Sequence, residues 1–186
     1  MRYIWGMEHL TQEQLLDVLQ IAKRFSDRDW LAILLGYNHG LRIQEVCSLT
    51  PSNFASGYLT VQRLKGSLKT TQPLIESSNP LLNERSAVEA WCGRFGARQR
   101  IFTIQRSMLG KLFEKYARLA GVPQHHRHFS VLKHSLAMHT IQQSGIENVR
   151  QYLGHKVISS TGQYLRVDDA QASAVIQRVL AVGKVG

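Results

Sequence analysis

Gly40-Leu41-Arg42-Ile43-Gln44-Glu45-Val46-Cys47-Ser48-Leu49-Thr50 is the stretch on which the reading of this chain turns. Before it, residues 30–37 (WLAILLGY) are apolar around almost a whole helical circumference, and Gly40 is placed as that helix's C-terminal cap. Residues 43–49 then form a short helix ended by Thr50-Pro51. Arg42 falls at the start of this helix, where the positive end of the peptide dipoles favours an anion over a cation. Glu45, one turn later, is spaced to hold its guanidinium. Taken alone, the pair reads as an ordinary exposed ion pair. An arginine steadied by a carboxylate is also what presents two parallel N–H donors to a phosphate.

Working outward, Thr11 with Gln14 reads as a capping box, and Leu15, Leu16, Val18, Leu19 and Ala22 follow at helical spacing. Downstream the texture changes. Residues 58–64 and 70–75 have strand character, with a turn at 65–69. Helices resume at 82–95, 107–120, 130–143, 146–153 and 168–180. No repeat or low-complexity linker interrupts the chain. The expected architecture is one domain over 1–186, mainly α with a small antiparallel β-sheet or hairpin.

Composition narrows the function classes. Hydrophobic residues make up 44%, enough for a packed core. No apolar run approaches the roughly 18 residues of a membrane helix, and the first ten residues lack a secretory pattern, which predicts a soluble intracellular protein with no membrane partner. Cys47 and Cys92 have neither metal-site nor disulfide-framework spacing and read as buried reduced thiols. Lys and Arg number 23 against 13 Asp and Glu, a formal charge of +10 spread from Lys23 to Lys184. A folded basic surface points to a polyanion: nucleic acid or an anionic membrane face.

Three further segments carry chemistry that helix packing does not require. Lys65 and Lys69 sit on the tight turn, either as a solvated tip or as a mobile lysine able to protonate a leaving oxygen. Lys69 and Arg63 are candidate DNA-backbone contacts. His125-His126-Arg127-His128 runs into Ser130-Val131-Leu132-Lys133-His134-Ser135. No HExxH, cysteine partner or spaced carboxylate accompanies these histidines, so a phosphate-facing basic patch is favoured over a metal site. Finally, Tyr152-Leu153-Gly154-His155 precedes Tyr164, which follows the turn-forming Ser159-Ser160-Thr161-Gly162. By itself Tyr164 reads as a packed aromatic.

In order and content these segments resemble the catalytic domain of the tyrosine recombinases, the phage-integrase family. Gly-Leu-Arg-Ile-x-Glu at Arg42 resembles the first arginine motif, and Lys65-Gly66 the β-hairpin lysine. Leu132-Lys133-His134-Ser135 resembles the third motif, and Leu153-Gly154-His155 with Thr161 and Tyr164 the closing one. The similarity spans about residues 9–180. It implies a DNA strand-transferase in which Tyr164 attacks the scissile phosphorus, giving a 3′-phosphotyrosyl link and a free 5′-hydroxyl, with no metal, ATP or other cofactor. Arg42, oriented by Glu45, together with Lys133 and His155 would stabilise the phosphorane, and Lys65 would act as general acid.

Two departures accompany the resemblance. The family's His-x-x-Arg reads Ser130-x-x-Lys133 here, which leaves three outcomes: Lys133 alone serves, His126, Arg127 or His128 substitute, or the domain binds DNA without cutting it. The family's N-terminal clamp is not seen before residue 9, as in a naturally short inversion recombinase or an excised catalytic part. The expected partners are double-stranded DNA, further copies of the chain in a tetramer on DNA, and accessory proteins, in a cytoplasmic, nucleoid-associated setting. Ala172, Ala174, Val175, Val179 and Leu180 form an apolar stripe in the 168–186 tail, suited to a neighbouring protomer or to its own core. A DNA-binding or architectural protein is the competing reading, and a type IB topoisomerase a third.

Overall fold

Thr11 opens the first helix, α1 (Gln12–Phe25), through the capping box its spacing predicts: Gln14 N–H donates to Thr11 Oγ1 at 3.1 Å and Thr11 N–H to Gln14 Oε1 at 3.0 Å. The structure is a computed structural model that describes residues 8–157 together with Thr161 and Gln177. Tyr164 and, apart from Gln177, the tail expected as a helix over 168–180 lie outside the described residues. The remaining described helices are α2 (Asp27–Asn38), α3 (Ile43–Cys47), α4 (Glu84–Cys92), α5 (Arg106–Leu119), α6 (Val131–Ser144) and α7 (Ile146–Tyr152).

The apolar α2 is the central helix, packed against α1, α3, α4, α5 and α6. Leu31, Ile33, Leu34 and Leu35 are all at 1% exposure or less, each worth roughly 1.5–3 kcal/mol for leaving water. The same core takes in Leu109 and Phe113 from α5 and Leu132 from α6. Gly36 makes this approach possible, because a Cβ there would stand 2.7 Å from the Phe129 ring. A smaller apolar cluster, Ala137, Ile141, Val149 and Leu153, joins α6 to α7. The thiols of Cys47 (buried) and Cys92 (half-buried) are free, and desolvation raises both.

A three-stranded antiparallel sheet lies beside the helices in the order β1 (Phe54–Ala55), β2 (Tyr58–Val61), β3 (Thr70–Pro73), with Leu59 opposite Gln72 and Val61 opposite Thr70. The sequence reading has no β1, a two-residue strand too short to show alternation. Its trace is the Ser56-Gly57 turn, both residues at positive φ, as tight hairpins require. β2 stops at Val61 instead of continuing to Leu64. Arg63 turns inward and Lys65 takes φ 55°, which ends the extended run.

The hairpin is tied to the loop after α7 by a backbone hydrogen bond, Leu68 N–H to Gly154 O at 2.9 Å. Gly154 has φ +69°, and a Cβ there would meet Leu68 O at 2.9 Å and Thr70 Cγ2 at 3.0 Å. Gly154→Ala is therefore expected to cost at least about 1–2 kcal/mol from the left-handed backbone alone. Urea denaturation reads that loss, and faster hydrogen exchange at Leu68 N–H reads the loosened hairpin.

Candidate active site

Beneath the site lies a buried carboxylate. Glu45, 2% exposed, accepts Arg42 N–H (2.8 Å) and Arg63 Nη1 (3.3 Å) on Oε2, and Leu64 N–H (2.8 Å) and Arg42 Nη1 (3.2 Å) on Oε1. Burial opposes its ionisation, but the two backbone N–H groups and the Arg63 and Arg42 charges prevail and hold it below the ordinary carboxylate range. The sequence pair Arg42–Glu45 is thus real, and it has a third member.

That third member corrects an expectation. Arg63 is no DNA-facing residue: its side chain is wholly buried. Nε donates to Thr70 Oγ1 (2.8 Å), Nη1 to Gly40 O and Glu45 (both 3.3 Å), and Nη2 to His39 O (2.6 Å) and Gln72 Oε1 (3.3 Å). All five donors of the guanidinium are used within the protein. The network continues through His39, whose Nδ1 meets Gln72 Oε1 at 3.1 Å and whose Nε2 meets Glu84 Oε1 at 2.8 Å.

Above this layer opens a cleft of about 1340 Å³. Arg42, 29% exposed, reaches it from the start of α3; both of its described side-chain bonds leave from Nη1, to Glu45 and to Leu64 O (3.2 Å). Lys65 comes from the hairpin, Ser130 and Lys133 from α6, His155 from the loop after α7, and Arg127 and His128 from the turn before α6. Lys69 is exposed on the hairpin but does not line the cleft, and neither does His126. Arg106 and Lys111 on α5, and Lys156, line it without having been singled out from sequence. Their trace is faint: basic residues on the face of α5 that the apolar stripe leaves open. Glu114 is the one acidic residue among the described lining.

This arrangement of a helical core, a small sheet and a cationic cleft can be set beside known proteins. The profile described as the phage integrase family matches residues 8–171. The chain belongs to the phage integrase family. It is similar to tyrosine recombinase XerA of Pyrococcus furiosus, 28% identical over 176 residues, covering 91% of this chain and 60% of the relative. It also resembles tyrosine recombinase XerC of Rhizobium meliloti, 28% identical, covering 91% and 57%. The chain thus spans about 60% of the length of such relatives. Among solved structures, XerA recombinase superposes with a TM-score of 0.70 at 17% identity, covering 96% of this chain and 65% of that one. The lambda integrase catalytic core gives 0.64 at 19%, covering 88% and 95%. These neighbours share the fold: mostly helical with a small antiparallel sheet.

In this phage-integrase domain the cleft is short of negative charge. Lys133 is 8% exposed; burial, then the charges of Arg42 and Arg63, push its ammonium down to about 8. His155 is driven down to about 4 by burial and then by Lys133, Arg42 and Arg63, and its Nδ1 lies 2.8 Å from Thr161 Oγ1. His134 is lowered by burial and by its cationic neighbours. Later residues of the same motif are structural: Ser135 Oγ accepts Leu10 N–H at 2.8 Å, and His139 Nε2 lies 2.8 Å from Leu10 O.

A depressed lysine makes stability depend on pH with a definite sign. Below about pH 8 Lys133 is charged both folded and unfolded, and the folded state bears the full penalty of burying that charge. Above the ordinary lysine value it is neutral in both states and the penalty vanishes, so its contribution improves as pH rises between the two. Lys133→Met should stabilise the free protein at pH 7 by about 1–3 kcal/mol, a gap closing toward pH 10. Urea denaturation at several pH values reads it. A gap independent of pH would disprove the buried charge.

Proposed function

We propose that this domain cuts and rejoins DNA as the catalytic part of a site-specific tyrosine recombinase. The observation that carries the reading is the cleft in which Arg42, Lys65, Lys133 and His155 meet over a single buried carboxylate, with cations depressed for want of an anion. A phosphate diester supplies the missing charge. Its entry raises the Lys133 ammonium and relieves the repulsion between Lys133 and Arg42.

In the reaction Tyr164 Oη bonds to phosphorus as the 5′-oxygen leaves, so one phosphodiester is exchanged for another and no energy source is needed. Negative charge grows on the non-bridging oxygens, where Arg42, Lys133 and His155 donate. Arg42 is steadied by Glu45, and Glu45 by Arg63, so the donor is in place before the substrate arrives. Lys65 protonates the 5′-oxygen from the exposed hairpin. No metal or cofactor enters this scheme.

The partners proposed are double-stranded DNA, further copies of the chain in a tetramer, and accessory proteins, in the cytoplasm at the nucleoid. A lambda integrase tetramer bound to a Holliday junction is among the structures with this fold. Among the described residues no helix is long and apolar enough to cross a membrane. The apolar stripe of the 168–186 tail is proposed to pack on a neighbouring protomer.

A second reading, DNA binding without cleavage, is favoured by one observation: Ser130 and Lys133 stand where the family pattern has histidine and arginine. Incubation with a randomised pool of nicked duplexes separates the two. Strand transfer predicts an SDS-resistant protein–DNA adduct, reduced at least about 1000-fold in Tyr164→Phe, while salt-sensitive duplex binding survives. Binding with no adduct, even after Ser130→His with Lys133→Arg, would establish the second reading.

A further inference from the structure

We propose that Glu8, His128 and Ser130 form a proton relay in which His128 accepts, through Ser130, the proton of the attacking tyrosine. The proposal rests on the strand-transfer reading and names a group that reading lacks, the acceptor of the phenol proton.

Ser130 is exposed at the head of α6 and lines the cleft one helical turn before Lys133, so its hydroxyl and the ammonium share a face. Ser130 Oγ lies 2.8 Å from His128 Nδ1, and His128 Nε2 lies 3.0 Å from Glu8 Oε2. The hydrogen bond from His128 holds the Glu8 carboxyl below its ordinary value, so Glu8 is ionised at neutral pH. A carboxylate only accepts hydrogen bonds. In the neutral imidazole Nε2 therefore carries the ring proton, and Nδ1 offers its lone pair to the Ser130 hydroxyl. Carboxylate, imidazole and hydroxyl stand in the order that activates an oxygen in nucleophilic sites, with the hydroxyl end in the cleft.

The other imidazoles are less suited. His155 is held near 4 with Nδ1 against Thr161, and His134 is lowered by burial. His126 does not line the cleft. The ionisable groups around His128 are Glu8 from the segment before α1, His125, His126 and Arg127 from the preceding turn, and Lys133 and His134 from α6. Among these Glu8 is the one anion, and it touches the imidazole directly.

The step balances. As the Tyr164 oxygen bonds to phosphorus, its O–H proton passes to Ser130 Oγ while the Ser130 proton passes to His128 Nδ1. The imidazolium formed is stabilised by the Glu8 carboxylate, and the departing 5′-oxygen takes its proton from Lys65. In ligation each proton returns along the same route. Ser130 meets the reacting hydroxyl itself, His128 acts through Ser130, and Glu8, acting through His128, is a positioning residue.

The test follows the rate of adduct formation on the nicked duplexes from pH 5.5 to 8.5. His128→Ala and Ser130→Ala should each lower the rate roughly 100-fold, with duplex affinity unchanged within about twofold, and His128→Ala should remove the acid limb of the profile. Glu8→Gln should lower it about tenfold, since the imidazolium formed in the step loses its counter-charge. Ser130→His in the His128→Ala background should restore activity by putting an imidazole directly in the cleft. A duplex with sulfur at the 5′-bridging position, whose leaving group needs no proton, should rescue Lys65→Ala but not His128→Ala. An adduct that depends on Tyr164 yet forms at wild-type rate and pH dependence in His128→Ala overturns the relay alone. No adduct from the wild-type chain overturns the strand-transfer reading and the relay together.

Discussion

Glu45 is a carboxylate at 2% exposure receiving four N–H donors, and the geometry of the cleft depends on it. Its four donors come from three residues: Arg42 at the start of α3, and Arg63 and Leu64 in the turn after β2. Arg63 in turn grips the carbonyls of His39 and Gly40, where α2 ends. One ion thus fixes how α2, α3 and the hairpin meet. Removing either Glu45 or Arg63 would leave its partner charged in a site closed to water, the costly case for a buried pair. The fixed arrangement is what allows Arg42, at the rim, to keep part of its guanidinium directed at the cleft.

Much of the fold was legible because its signals are local. The Thr11 capping box, the all-apolar α2 and Gly40 at φ +57° each follow from a few adjacent residues. Helix ends moved by only a residue or two, except in α2, which starts at Asp27 instead of Trp30, and in α4, which starts at Glu84 instead of 82 and ends at Cys92 instead of 95. In α4 the sequence does carry end signals, Asn83 before the helix and Gly93 after it, but the apolar pattern runs past both, and Glu84 is fixed by distant partners, His39 and Asn38. Arg63 failed for the same reason. An arginine in a hairpin reads as exposed until five acceptors, all from residues at least seven positions away, are brought round it by tertiary packing.

The site was legible as a set of residue types in order, while its electrostatics were not. Arg42, Lys65, Lys133 and His155 do line one cleft, yet the charge shortage that they create depends on Arg106, Lys111 and Lys156 as well. Glu8 shows the opposite limit. It lies 120 positions from His128 and has no motif around it, so only the folded chain reveals that a carboxylate backs that imidazole.

The exchange of arginine for lysine at position 133 has a physical consequence beyond the loss of a planar grip. An arginine in this cleft would stay charged whatever its surroundings, adding to the repulsion from Arg42 and Arg63 in the free protein. A lysine held near 8 stays mostly charged at pH 7 and sheds that charge as pH rises past 8, unless an anion in the cleft holds the proton on. On the strand-transfer reading, charge at position 133 is therefore coupled to occupancy of the cleft. The same coupling bears on Ser130: a histidine there would sit one turn from the Lys133 ammonium, whose charge opposes that of an imidazolium. Placing the imidazole at position 128 instead, against Glu8 and farther up the chain, gives it an anion for a neighbour and leaves only a neutral hydroxyl beside the ammonium. Lysine at 133 and serine at 130 are then one electrostatic solution, each making the other tolerable.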